Sequence, residues 1–203
     1  FADAGRGVSL PLYSNGSDSV GWWGMVVLLI SDAAIVASLI FAYLFLWTAR
    51  PGVWPPDGSQ LPGFLGPAVI AVLVVVAHAL FEAADQSNQC GQPRATMVTL
   101  GACAVMAAAV VLSGWLWLDS LGIDSTRHAY GAAVWTLLGY LGLHVATGAG
   151  MALWCLARLS LGMINSWRTL TLRICLLWWR FTTPLTVIAL LLVAGFPHVV
   201  SSP

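Results

Sequence analysis

Polar and apolar residues along this chain separate into long apolar runs divided by short polar or Pro/Gly-rich joints. Runs of roughly 20 apolar residues match the ~30 Å of hydrocarbon that a membrane-spanning helix must cross. Five such spans are predicted, at about residues 20–48, 66–82, 95–118, 130–156 and 170–195, giving an all-α bundle of five transmembrane helices. The first opens after Asn15-Gly16-Ser17-Asp18 and closes at Arg50-Pro51-Gly52, and the second starts at Gly66-Pro67, where proline suits a first helical turn. Ala, Val, Gly and Cys dominate the third, and the fourth carries Gly139, Gly142, Ala146, Gly148 and Gly150, so both are expected to pack closely. Pro184 lies inside the fifth and is expected to kink it. Residues 1–19 read as a linker, separate from the membrane domain at 20–198.

Composition supports lipid as the solvent: 59% of the 203 residues are hydrophobic and 8% are charged. Net charge is zero and every basic residue apart from histidine is arginine, which gives no nucleic-acid patch and no Schiff-base lysine. Arg6, Arg94, Arg158, Arg168 and Arg173 fall on the N-terminal side of the spans and Arg50 and Arg127 on the other, five against two, which favours a cytoplasmic N-terminus. Trp22, Trp23, Trp47, Trp115, Trp117, Trp154 and Trp178 read as an interfacial aromatic belt. Cys90, Cys103, Cys155 and Cys175 form no Cys-x-x-Cys pair and read mainly as small hydrophobes.

Ionisable side chains inside spans are costly and are the natural functional candidates. Asp32 lies some 12 residues into the first span, ~18 Å from its start and near mid-bilayer. At that depth it needs a donor, a cation or a proton of its own. Two readings stand equal: a carboxylate that handles protons or organises water, or an interhelix hydrogen bond. His144 lies at similar depth on the fourth span, where a lone histidine among glycines more often packs than ligates. His78 precedes Glu82 by one helical turn on the second span, a pairing that suits a simple surface contact. No span carries two histidines, and no phosphate loop, nucleophile elbow or His-Glu-x-x-His is present, so the chain offers no catalytic centre or haem or copper site of its own.

The order of several motifs resembles cytochrome c oxidase subunit III, in the five-helix form that lacks the first two of seven helices. Gly21-Trp22-Trp23-Gly24-Met25, Ser31-Asp32 and Phe41-Ala42-Tyr43 resemble that family's opening core, and Trp54-Pro55-Pro56 its Trp-Pro-Pro loop. Ala77-His78 with Leu80 and Glu82, Thr99-Leu100-Gly101, Tyr130-Gly131 and Gly139-Tyr140-Leu141-Gly142-Leu143-His144-Val145 follow in the same order, to Trp179-Arg180-Phe181 where Trp-His-Phe is usual. Departures are equally specific. Asp32 replaces a buried glutamate, Leu141 stands at the first histidine of a pair, Ser113 to Trp117 lack the usual Gln and Glu-Tyr, and Thr182-Thr183 replace Val-Asp. The resemblance covers about residues 21–183 and marks a divergent member.

The resemblance implies a non-catalytic subunit of a haem-copper terminal oxidase in a bacterial cytoplasmic (inner) membrane. Catalytic subunit I and subunit II would be its partners, with haem and copper held by them and none here. It further implies bound phospholipid, with Arg158 at the family's phosphate-contacting position and His78 as a second lipid contact, and a role for Asp32 and His144 in supporting proton uptake. Gly7 to Asp18 is similar to the junction in oxidases whose subunits I and III are fused. An accessory subunit of nitric oxide reductase and a stand-alone transporter or lipid-handling protein are the competing readings. The electron donor, cytochrome c or quinol, is not written in this chain.

Overall fold

Continuous apolarity makes helix the only conformation that satisfies every backbone polar group within lipid, and the computed structural model is accordingly helical. It describes residues 2–3, 9–10, 19–49, 51, 54–56 and 62–200. The linker and fusion-junction reading of residues 1–19, and Arg6 and Arg50 of the orientation count, fall largely outside the described residues. A short antiparallel pairing of β1 (Ala2–Asp3) with β2 (Ser9–Leu10) precedes the helices. Five helices follow, each long and apolar enough to cross a membrane: α1 (Val20–Ala49), α2 (Leu65–Gln89), α3 (Pro93–Ser120), α4 (Ala129–Ser160) and α5 (Leu170–Val200).

Local chemistry sets the helix ends. The Ser19 hydroxyl caps α1 by accepting from the Trp22 N–H at 3.1 Å. Gly91, Gly122 and Gly162 follow α2, α3 and α4 with φ of 69°, 60° and 69°, the left-handed turn that glycine makes without a Cβ clash. In the α3–α4 loop, the Thr126 hydroxyl and N–H both donate to Asp124 Oδ1, at 2.6 and 2.8 Å. They hold the Asp124 carboxyl below the usual carboxylate range, with nearby Arg127 and His128 acting in the same direction. α2 runs on past the apolar stretch that ends at Glu82. Its last turns are polar but bonded: Gln89 donates to Asp85 at 2.7 Å, and Asn88 donates to the Asn165 carbonyl at 3.1 Å.

α2 packs against α3 and α5, α3 against α4, and α4 against α5, so α2 to α5 close into a four-helix ring. α1 lies outside that ring, in the groove between α4 and α5. Only 6% of its most apolar stretch is buried, against 33–39% for the other helices, and Trp23, Val27, Ile30, Phe41 and Phe45 face outward. Lipid is as apolar as a protein core, so close packing must carry the ring. Gly66 of α2 fits closely against Trp117 of α3, and Gly148 of α4 against the fully buried Trp179 of α5. Trp54 of the α1–α2 loop is buried edge-on between Tyr43 and Tyr130, at 5.0 and 4.9 Å between ring centroids. α5 remains helical through Pro184 and Pro197.

Candidate functional site

α1 is largely exposed, yet it buries one carboxylate, and that carboxylate faces the histidine of α4. Asp32 Oδ2 lies 2.7 Å from His144 Nε2, and the Tyr140 hydroxyl donates to Asp32 Oδ1 at 2.5 Å. The two side chains of the pair are 12% and 6% exposed, so it sits out of reach of bulk solvent. His144 Nδ1 lies 2.9 Å from the carbonyl of Tyr140, one turn earlier on α4. Trp178 of α5 stacks on the imidazole at 5.0 Å with 8° between planes, and its indole N–H donates to the His144 carbonyl at 3.0 Å. Three helices therefore hold one imidazole.

Hydrogen-bond complementarity sets the proton count. A backbone carbonyl can only accept, so the contact to Tyr140 requires a proton on Nδ1. The 2.7 Å contact between Nε2 and Oδ2 then requires one further proton between them. That proton sits on either side: imidazolium with carboxylate, or neutral imidazole with carboxylic acid. Both arrangements are neutral as a unit, which the membrane interior tolerates far better than a lone charge. The Tyr140 hydroxyl satisfies the remaining carboxyl oxygen, and its partly exposed ring borders the pair. Chemically the site can hold a proton and exchange it. Among the described residues no group of three or more His, Cys, Asp or Glu side chains could hold a metal ion.

The remaining sequence candidates lie apart from this pair. His78 Nε2 is 3.7 Å from Glu82 Oε1, and the same carboxylate accepts from Arg180 of α5 through Nε at 3.2 Å and Nη2 at 3.0 Å. Arg158, in the last turn of α4, lies over the Trp154 ring at 5.9 Å and near the Cys155 and Cys175 thiols. Those thiols are buried with their sulfurs 3.6 Å apart, while Cys90 is exposed. Trp178 is a correction to the aromatic-belt reading: it is 7% exposed and belongs to the His144 site. Tyr140 was equally hidden as a site residue, although its spacing of four from His144 is the signal that could have found it.

A polytopic membrane protein with a buried carboxylate–imidazole pair is the class these features define. No family model matches the chain. It is similar to cytochrome c oxidase subunit 3 of Synechocystis sp., with 24% identity over 135 residues, 66% of this chain and 57% of that protein. The chain thus spans less than two thirds of that relative's length.

Proposed function

We propose that this chain is an accessory, non-catalytic subunit of a haem-copper terminal oxidase, of the subunit III type. The observation that carries the reading is the 24% identity with cytochrome c oxidase subunit 3 over 135 residues. The five-helix body supports it. In this reading the chain lies in a bacterial cytoplasmic membrane with its N-terminus on the cytoplasmic side, as the arginine distribution favours. It packs against catalytic subunit I, with subunit II in the same assembly, and those subunits hold the haem and copper.

Within that assembly, Asp32 and His144 hold one exchangeable proton in the membrane interior and thereby support proton uptake by the neighbouring subunit. Arg158 is assigned to a lipid phosphate: its Nε is buried without a hydrogen-bond partner among the described residues, as a bound anion would require. His78 is one-fifth exposed at its side chain, with Nε2 covered, so it offers a headgroup only its outer edge.

The outward face of α1 is the surface assigned to the catalytic subunit. A photo-crosslinking amino acid at Val27 or Phe41, both well exposed, tests this in native membranes. The expected product is an adduct with a haem-bearing polypeptide. Adducts with lipid alone, or with a haem-free protein, would overturn the assignment.

A further inference from the structure

Two of the buried cysteines meet across the α4–α5 hairpin. Cys155 of α4 is fully buried, Cys175 of α5 keeps 5% exposure, and Cys155 Sγ donates to Cys175 Sγ at 3.6 Å. Helix geometry explains the meeting. α4 ends at Ser160 and α5 begins at Leu170, so each cysteine stands five residues from the hairpin loop, about 7.5 Å in at a rise of 1.5 Å per residue. Ala152 and Leu159 flank Cys155 by one turn on either side, and Leu172 and Trp179 flank Cys175 in the same way. All four are buried, so core packing fixes the register that brings the sulfurs together.

A lone buried cysteine behaves as a small, inert hydrophobe. Two sulfurs in contact have a further reaction open to them. A disulfide holds its sulfurs about 2.05 Å apart, so the pair must close by about 1.5 Å, a shift that rotation about the two Cα–Cβ bonds can supply. Arg158, in the last turn of α4, lies near both thiols, and its guanidinium offsets the negative charge that a sulfur carries when it attacks. Cys103 of α3 is buried within electrostatic range of Cys155 but is not in hydrogen-bond contact with it, and Cys90 is exposed at the α2–α3 turn.

We propose that Cys155 and Cys175 are a redox-active pair that hydrogen peroxide converts to a disulfide, reversibly stapling α4 to α5. Burial restricts the oxidant to one that is small and uncharged, which hydrogen peroxide is. Cys175 reacts first because it keeps the exposed edge. Its sulfur attacks one peroxide oxygen, the O–O bond breaks, water leaves, and Cys175 carries a sulfenic acid. The Cys155 sulfur then attacks the Cys175 sulfur and displaces the hydroxyl, which leaves as a second water. Two thiols are oxidised and one peroxide is reduced, with both thiol hydrogens carried away in the waters. This inference rests on the α4–α5 hairpin alone and does not depend on the oxidase reading.

The test is peptide mapping by mass spectrometry of the full chain in lipid nanodiscs. A maleimide first blocks exposed Cys90 in the folded protein, hydrogen peroxide is then added, and the remaining thiols are alkylated after unfolding. Expected is the loss of Cys155 and Cys175 from the alkylated pool, a cross-linked peptide joining them that dithiothreitol releases, and a Cys103 that stays free. Full alkylation of Cys155 and Cys175 after peroxide, or a link from Cys155 to Cys103, would overturn the proposal. Cys155→Ala gives a second readout. With its partner removed, Cys175 should stop at the sulfenic acid and be captured by dimedone. An unlabelled Cys175 in that variant would overturn its assignment as the attacking sulfur. Should the variant fail to fold, the wild-type map decides alone.

Discussion

Gly148→Leu is expected to prevent the four-helix ring from closing, with loss of folded protein on extraction from the membrane. A Cβ at Gly148 would stand 2.9 and 3.0 Å from atoms of the Trp179 ring. That ring is fully buried and faces Phe81 of α2, so it has no exposed direction in which to swing. The α4 and α5 backbones must separate instead, which would pull Trp178 from His144 and weaken the contact between Cys155 and Cys175. Overpacking of this kind costs about 1–3 kcal/mol for the smallest insertions and more for larger ones. Gly148→Ala should therefore fold with a clearly lowered Tm, while Gly148→Leu should not accumulate. Gly150→Ala is the internal control: nothing lies within 4 Å of the added carbon, so Tm should hold or rise slightly.

Truncating either partner of the buried pair, by Asp32→Ala or His144→Leu, is expected to cost about 3–5 kcal/mol. Asp32→Ala strands the Tyr140 hydroxyl and His144 Nε2, and His144→Leu strands the carboxyl. The combined Asp32→Ala, His144→Leu variant should recover part of the summed loss, and a double-mutant cycle of these three variants by thermal or denaturant unfolding should show coupling of about 1 kcal/mol or more. Asp32→Asn separates structure from proton chemistry. Its amide oxygen accepts from Tyr140 and its N–H donates to Nε2, so folding and assembly should be nearly preserved. The shared proton, however, is replaced by one that does not exchange in function, so proton uptake or the working life of the complex should fall modestly. Failure of Asp32→Asn to assemble would mark Asp32 as a packing residue alone.

The five helices were legible because each apolar run is long enough to span a membrane. How they assemble was not legible. With lipid outside and apolar side chains inside, both faces of a helix are hydrophobic, and the periodicity that separates surface from core in a soluble bundle disappears. Thus nothing in the apolar run of α1 marks it as the helix outside the ring. α2 outlasts its apolar run because Asp85, Asn88 and Gln89 are bonded, and hydropathy does not register bonding. Asp32 and His144 are legible in the sequence as ionisable residues at like depth, but depth says nothing of facing, and only the packing of α1 onto α4 joins them. Trp178 was misplaced for the same reason: its position near an end of a run suggested the interface, whereas its side chain faces inward. The Glu82–Arg180 link spans 98 residues of sequence and has no local signal.

The chain carries polar chemistry into the membrane where α1, α4 and α5 meet. One neutral carboxylate–imidazole unit is locked by Tyr140 and Trp178, and its position against the outer helix places it beside the surface assigned to a partner. Association with a haem-bearing partner decides the proposed role. Mild-detergent purification of the tagged full chain from its native membrane, followed by visible spectroscopy and assays with oxygen and with nitric oxide, is the most direct measurement. A stoichiometric haem-containing complex that reduces oxygen is the predicted result. A nitric oxide-reducing complex, or a haem-free protein that transports or handles lipid by itself, would contradict it.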